Sequence, residues 1–248
     1  MVKDPFDFTG KVALVTGGSR GLGLEIVRAF AQRGADVVIT SRKVESCEAA
    51  ADEVRAMGRR ALAYGAHVGH WDEMPGLVEA AYDTFGKVDI LVNNAGMSPL
   101  APSLLETSED LFDKIVAVNF KGPFRLCALV GSRMYAGEGG SIINVSSTGA
   151  IRPQPRYGPY AGAKAALNTL AEVFSMEYSP KVRVNTLSAG PFLTDIAKSW
   201  PEESRTKRDS AAGRVGDPEE VVTAALYLAS PASSYTYGSF LRVDGGLP

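Results

Sequence analysis

Cysteine is nearly absent from this chain: Cys47 and Cys127 are the only two in 248 residues. No disulfide framework is implied, and a reducing cytoplasm is the expected setting. An excess of one charge is missing as well. There are 26 basic and 28 acidic side chains, for a formal net charge of −2. No basic stripe offers itself to nucleic acid, and nothing draws the chain to an anionic membrane. No uninterrupted apolar stretch reaches the length of a membrane span. Met1 to Gly10 carries Lys3, Asp4 and Asp7 without an apolar run and does not read as a secretory signal. Internal repeats, low-complexity tracts and Pro/Ser-rich linkers are also lacking, so residues 1–248 are expected to form a single domain. What remains is globular composition, 45% hydrophobic and 22% charged, with enough chain to bury a sizeable core.

Short β-branched runs alternate with longer helical patterns. Strands are expected at Val12 to Thr16, Val37 to Thr40, Val88 to Asn93, Ser141 to Ser146, Val182 to Leu187 and Phe240 to Val243. Helices are expected at Leu22 to Gln32, Glu45 to Met57, Glu73 to Phe85, Glu109 to Met134 and Ala161 to Tyr178. That alternation predicts an α/β fold, a parallel sheet with helices on both faces. Ligands in such sheets sit beyond the carboxyl ends of the strands, where strand order reverses. One segment breaks the rhythm: residues 190–217 are rich in Ser, Arg, Lys and Glu, with Phe192, Trp200 and Pro201 embedded. Two readings stand, a substrate lid closed by Phe192 and Trp200 or a plain surface excursion.

Directly after the first strand comes Thr16-Gly17-Gly18-Ser19-Arg20-Gly21-Leu22-Gly23, followed by a helix. Glycines there let the chain turn tightly and let the backbone approach a pyrophosphate at the helix N-terminus. A later strand ends in Asn93-Asn94-Ala95-Gly96, Asn119 sits in Val118-Asn119-Phe120-Lys121-Gly122, and Tyr160 precedes Lys164 by four residues and follows Ser147 by thirteen. In this order, and with the C-terminal Val243-Asp244-Gly245-Gly246, these motifs resemble the short-chain dehydrogenase/reductase family over essentially the whole chain. The resemblance implies a single-domain, doubly wound Rossmann-type fold and a dinucleotide cofactor. Gly17, Ser19, Gly21, Leu22 and Gly23 would hold its pyrophosphate, and Asn94, Ala95 and Gly96 would line its cleft. Asn93 and Asn94 equally suit buried amides that tie neighbouring strands together.

The second strand ends Ile39-Thr40-Ser41-Arg42-Lys43, with no carboxylate to take the ribose hydroxyls of NAD. Arg42 offers a bidentate fork for a 2′-phosphate, Ser41 adds a hydroxyl, and Arg20 is a second basic residue, so NADP(H) is the expected cofactor. The segment Ala66-His67-Val68-Gly69-His70 departs from the family, which usually carries Asp at the positions of His67 and His70. His67 and Val68 are expected on the adenine side, with His67 stacking or hydrogen bonding in place of the acid. His67, His70 and Asp72 lack a helical register, and no metal site is expected.

Hydride transfer to a carbonyl needs a proton donor for the oxygen that gains charge. Tyr160 is the expected donor. Lys164, one helical turn on, shares its face, and its ammonium is expected to lower the tyrosine pKa. The resemblance adds that Lys164 and Tyr160 approach the nicotinamide ribose, that Ser147 holds the substrate oxygen and that Asn119 helps place a relay water. Ser146 and Tyr157 are the neighbouring alternatives, disfavoured by spacing. The run Ala189-Gly190-Pro191-Phe192-Leu193-Thr194 resembles the family's P-G-x-x-x-T segment with Ala189 in the usual proline's place; Gly190, Phe192 and Thr194 would then face the carboxamide and pyrophosphate.

The expected activity is NADP(H)-dependent reduction of a 3-oxoacyl-type or other small carbonyl, or oxidation of the corresponding alcohol. A sugar or polyol dehydrogenase and a non-catalytic NADP(H)-binding module are the alternatives. The partner is then a small molecule, and the family resemblance implies a homotetramer. A dedicated reductase of acyl groups carried on an acidic carrier protein is not expected. The flanking segments Tyr135 to Gly140 and Phe174 to Tyr178 lack basic residues, with Arg133 and Lys181 the nearest.

Overall fold

The structure is a computed structural model that describes residues 4–195, 197, 202–206 and 208–247. Its strands are β1 (Val12–Thr16), β2 (Asp36–Ser41), β3 (Ala61–Gly65), β4 (Ile90–Asn93), β5 (Gly140–Ser147), β6 (Val182–Ala189) and β7 (Phe240–Val243). All seven run parallel in one sheet, in the order β3-β2-β1-β4-β5-β6-β7. Alternate residues serve opposite faces, as a period of two dictates. Ala13 and Val15 enter the layer with Val27, Phe30 and Leu226, while Val12 and Leu14 enter the layer with Leu77, Leu126 and Val130. The first layer holds α1 (Gly21–Gln32), α2 (Val44–Ala56) and α8 (Val222–Ala229). The second holds α3 (Met74–Phe85), α5 (Gly122–Ala136) and α6 (Gly158–Tyr178). Two shorter helices, α4 (Glu109–Val116) and α7 (Glu202–Thr206), lie in the connections before α5 and after β6. Each Leu, Ile or Phe wholly buried in these layers contributes about 1.5–3 kcal/mol.

The chain starts at β1, winds outward through β2 and β3, then returns to β4 on the other side of β1. Two crossovers therefore diverge between β1 and β4 and open a crevice beyond their carboxyl ends. The candidate residues sit on strand ends, loops and helical turns bordering that side.

Helices α7 and α8 have no counterpart among the expected elements, and two further features differ from the sequence expectation. The edge strand β3, Ala-Leu-Ala-Tyr-Gly, pairs only with β2 and is half-exposed throughout, so it lacks the β-branched signature of its neighbours. The stretch from Glu109 to Met134 is not one regular helix. A π-helical turn, Ala117–Lys121, separates α4 from α5. Gly122 closes that turn where a Cβ would lie 2.2 Å from the Val68 carbonyl oxygen. Such turns are frequent at functional sites. Among the described residues no helix is long and apolar enough to cross a membrane, and no cluster of His, Cys, Asp or Glu is arranged to hold a metal ion.

Candidate active site

The turn after β1 is built around close backbone approach. Gly17 adopts φ 64°, and a Cβ on Gly23 would fall 2.3 Å from the Gly17 carbonyl oxygen and 2.4 Å from Asn94 Nδ2. No larger residue fits at position 23 without moving the backbone. Thr16 is the hub that sequence reasoning missed. Its hydroxyl accepts the N–H groups of Asn94 and Ala95, each at 3.0 Å. Asn94 returns its side-chain amide to the carbonyls of Thr16 (2.9 Å) and Gly17 (3.3 Å), fixing the turn from the β4 side. Asn93 ties β4 to β5 through Asn144 Oδ1 at 2.9 Å. Both asparagines are thus structural amides, with Asn94 also bordering the crevice.

The donor set fits a dinucleotide pyrophosphate. Helix α1 starts in this turn, its N-cap Arg20 makes no capping hydrogen bond through its side chain, and its first turn carries no acid. The first N–H groups of a helix lack intrahelical partners and favour an anion. Ser19 is half-buried in the turn and Leu22 half-buried at the helix start. Thr194 completes the rim: a Cβ on Gly21 would touch its methyl at 3.4 Å, and both line a groove of about 340 Å³ with Leu193 and Arg205.

The ends of β2 and β3 lie to one side of this turn. Arg42 is exposed. Ser41 is half-buried, its hydroxyl 3.0 Å from Cys47 Sγ and donating to the Lys43 carbonyl at 3.3 Å. Arg20 points elsewhere: its Nη1 lies 3.9 Å from Asp195, and an exposed contact of that length contributes little. An acid does occupy the departure at residues 67–70, but it comes from Glu73. Its carboxylate accepts the His67 backbone N–H at 2.7 Å and pairs with His70 Nδ1 at 2.6 Å. The two imidazoles stack with centroids 4.3 Å apart. Burial, followed by the charges of His70 and Arg42, lowers the His67 pKa. Gly69 N–H donates to His67 Nδ1, so the neutral ring carries its proton on Nε2. His67 therefore presents a donor where an aspartate would present an acceptor. Val68 is buried beside Gly122.

Ser147 ends β5, and Tyr160 and Lys164 lie one turn apart on α6, with Pro159 in its first turn. Ser147 Oγ accepts the Gly149 N–H at 3.0 Å. Burial raises the Tyr160 pKa, and a hydrogen bond with Ser147 counters it. The hydroxyl of Ser146 is spent on the Lys164 carbonyl at 3.3 Å, which leaves Ser147 as the serine that meets the tyrosine. Tyr157 caps the helix and meets Tyr160 edge-on at 6.2 Å. Gly149 is a second residue missed from sequence: a Cβ there would lie 3.3 Å from Tyr157, 3.4 Å from Ser147 Oγ and 3.6 Å from Tyr160. Its lack of a side chain leaves room between these three groups.

Lys164 departs from expectation. It is buried, its Nζ donates to the Val145 carbonyl at 2.7 Å, and desolvation lowers its pKa to about 8. The influences that set the Tyr160 pKa are burial, Ser147 and Tyr157 rather than the Lys164 ammonium. Helical spacing puts both residues on one face, but the lysine chain extends to β5 instead of the phenol. Gly96 joins Lys164 to Asn119, since a Cβ there would stand 3.0 Å from Asn119 Oδ1 and 3.6 Å from Lys164 Nζ. Asn119 sits in the π-helical turn and is wholly buried. Its amide donates to the carbonyls of Met97 (2.8 Å) and Ile115 (2.9 Å) and accepts the Met97 N–H at 3.3 Å.

At the end of β6, Gly190 donates to the Val243 carbonyl at 2.9 Å, and a Cβ on it would collide with Asp244. Phe192 is buried, and its backbone forms a bridge with Gly216 across the base of the excursion. Trp200, the other residue expected to close a lid, lies outside the described residues.

Comparison with known proteins identifies the family. A family model described as enoyl-(acyl carrier protein) reductase matches residues 17–248. An uncharacterized oxidoreductase of Mycobacterium tuberculosis is 41% identical, with alignment over 100% of this chain and 95% of that protein. The 3-oxoacyl-[acyl-carrier-protein] reductase of Chlamydia trachomatis is 35% identical over 96% of this chain and 97% of its own length. The crystal structure of a short-chain type dehydrogenase/reductase from Mycobacterium marinum superposes with a TM-score of 0.93, at 32% identity, covering 99% of this chain and 98% of that one. The chain belongs to the short-chain dehydrogenase/reductase family, oxidoreductases that use a nicotinamide cofactor.

Proposed function

We propose that residues 1–248 form one dinucleotide-binding and catalytic domain that interconverts a small carbonyl compound and its secondary alcohol with NADP(H). The observation that carries this reading is Ser147 and Tyr160 brought together around Gly149, half-buried beside the crevice, with Lys164 and Asn119 gathered around Gly96. A module that only bound the dinucleotide would need no buried acid. When bound, the nicotinamide supplies or accepts the hydride. Tyr160 gives its phenolic proton to the carbonyl oxygen as charge develops there. Because Gly149 N–H occupies one lone pair of Ser147, the serine proton is free to point at the same oxygen. Asn119 acts through the backbone it holds, keeping the π-helical turn open between Met97 and Ile115.

The cofactor would be held by the turn Gly17, Ser19, Gly21, Leu22 and Gly23 with the first N–H groups of α1. Asn94, Ala95 and Gly96 border its middle, Tyr160 and Lys164 its nicotinamide ribose, and Gly190, Phe192 and Thr194 the carboxamide end. His67 and Val68 flank the adenine. Ser41 and Arg42 receive the 2′-phosphate, and Arg20 contributes from the rim. Arg42 is free of any carboxylate among the described residues, and its charge is felt at His67. Charge-assisted hydrogen bonds contribute about 1.5–3 kcal/mol, so NADPH is expected to exceed NADH by at least about tenfold in kcat/KM. Arg42→Ala should erase most of that preference while barely changing NADH use. The test is a carbonyl and alcohol panel with both cofactors, read at the nicotinamide absorbance. Equal efficiency with both cofactors in the parent protein would overturn the NADP(H) assignment.

Carrier-linked substrates are disfavoured by what surrounds the nearest bases. Arg133 pairs with Glu79 and stacks over Tyr82, and Lys181 is held by the carbonyls of Tyr135 and Gly137. Neither is free to dock an acidic protein.

The homotetramer is supported by apolar surface on α4–α6. Phe112, Phe124, Val173 and Met176 are exposed, beside a groove of about 730 Å³ lined by Phe112, Val116, Phe120, Pro159 and Ala166. Light scattering should give about four times the 26.3 kDa chain mass. A monomeric mass at micromolar concentration would refute that assembly.

A further inference from the structure

Among the described residues Arg156 is the only non-glycine with positive φ, at 77°. A long side chain in the left-handed region is an outlier, and such outliers gather at functional sites. The conformation is fixed by two reciprocal hydrogen bonds. Ala101 N–H donates to the Arg156 carbonyl at 3.3 Å, and Arg156 Nε donates to the Ala101 carbonyl at 3.1 Å. Ala101 is buried and follows Met97, the residue that clasps Asn119. Arg156 also stands four residues before Tyr160, next to Tyr157, which packs on Tyr160 and borders Gly149. It therefore ties the connection between Ser147 and Tyr160 to the loop whose Met97 clasps Asn119.

The guanidinium's two terminal nitrogens remain. Arg156 is exposed, and among the described residues no carboxylate pairs with it. Arg152 lies on the same connection, one turn beyond the Ser147 strand, where its N–H donates to the Thr148 carbonyl at 2.8 Å; it too has no acidic partner among the described residues. Two such arginines in a chain of net charge −2 make a local positive field on the segment linking the serine to the tyrosine. With Nε anchored, the terminal nitrogens form a preorganised fork that matches the two oxygens of a carboxylate.

We propose that Arg156 selects an oxo acid as the carbonyl substrate, its free carboxylate held by the terminal guanidinium nitrogens with Arg152 adding to the field. This rests on the oxidoreductase reading of the site above and names its substrate class. Glycine would adopt φ 77° without strain, so the arginine is held against its own backbone preference. A neutral ester of the same acid leaves the fork unpaired.

The experiment compares acetoacetate and levulinate with their methyl esters, using NADPH, in the parent protein and in the Arg156→Gly and Arg156→Lys variants, across a salt series. Thermal midpoints and NADPH binding by fluorescence are measured alongside. The parent is expected to favour the acids by at least about tenfold in kcat/KM, mainly through KM and less at high salt. Arg156→Gly should collapse the acid-to-ester ratio at least about tenfold, with a thermal midpoint equal to or above the parent's and unaltered NADPH affinity. Arg156→Lys should keep only part of the ratio, since it lacks the fork. A parent without acid preference would overturn the proposal. So would an Arg156→Gly variant that keeps the ratio, or one that loses NADPH affinity or thermal stability. If the parent reduces none of the four compounds but does turn over other carbonyls, this proposal fails and the oxidoreductase reading stands. If no carbonyl or alcohol is turned over with either cofactor, that reading fails and takes this one with it.

Discussion

Replacing Tyr160 with phenylalanine is expected to lower turnover by about 10²–10⁴-fold, the range a positioned general acid supplies. The substitution removes the phenolic oxygen and keeps the ring, so the edge-on contact with Tyr157 at 6.2 Å and the burial of the helix face survive. NADPH affinity, measured by fluorescence, should hold within a few-fold, because the glycine turn and Arg42 are untouched. Tyr157→Phe should cost far less. Its hydroxyl engages the Gln154 backbone, whereas Ser147 acts on Tyr160. The pH dependence follows from the direction of the shift. Burial raises the Tyr160 pKa above its usual value near 10, so the proton is present throughout the neutral range and carbonyl reduction should decline only in strong alkali. Alcohol oxidation needs the deprotonated phenol and should rise with pH over the same interval. Equal losses in Tyr157→Phe and Tyr160→Phe would mean that the wrong tyrosine has been placed at the site.

What the sequence makes legible in this fold and site has a physical origin, and so does what it hides. β1 is legible to the residue because five buried residues, Val12 to Thr16, stand between the charge of Lys11 and the turn glycine Gly17. The edge strand β3 is not, since a half-exposed Ala-Leu-Ala-Tyr-Gly shows neither a β-branched run nor clean alternation. Chemistry that depends on spacing is visible: Ser147, Tyr160, Lys164 and the glycine turn are offsets along a strand, a helix and a loop. Chemistry that depends on where a flexible side chain ends is not. Four residues on a helix put Lys164 and Tyr160 on one face, yet the long lysine stem lets the ammonium reach the Val145 carbonyl instead. Phe192 looks like a lid residue because its neighbours are charged, whereas its side chain is buried in the layer of α1 and α8. The π-helical turn adds one residue to a helical pattern, a change too small to see in periodicity. A strand-ending threonine beside a glycine turn is the available clue to the Thr16 hub.

Lys164→Met is the substitution in which stability at pH 7 is expected to hold while activity falls. The ammonium is wholly buried, and desolvation takes its pKa from 10.5 to about 8. Below pH 8 both folded and unfolded chains carry the proton, so the native state bears the full desolvation penalty, about 3 kcal/mol at the exchange rate of 1.36 kcal/mol per pH unit. Between pH 8 and 10.5 the unfolded chain holds the proton and the folded one releases it; the unfolded state then binds more protons, and stability rises with pH. Tyr160 opposes this only above about pH 10, where its raised pKa makes the unfolded chain the first to ionise. Cys47 and Cys127, whose pKa values burial raises, also oppose it within this interval but do so in both proteins, so the difference between parent and variant at pH 7 and pH 9.5 isolates the lysine: the parent should gain about 2 kcal/mol relative to the variant. Methionine keeps the volume of the stem, but the Val145 carbonyl loses its charged donor, a loss of about 1–3 kcal/mol. That loss nearly offsets the relieved desolvation at pH 7, so the two proteins should have similar stability there and diverge in alkali, with the parent ahead. Below pH 8 turnover should nonetheless fall by at least about 10²-fold, because no ammonium remains beside Gly96 and Asn119. A variant whose stability tracks the parent's from pH 7 to 9.5 would show that the lysine is not held in a desolvated site. A variant that retains turnover would remove Lys164 from the chemistry altogether.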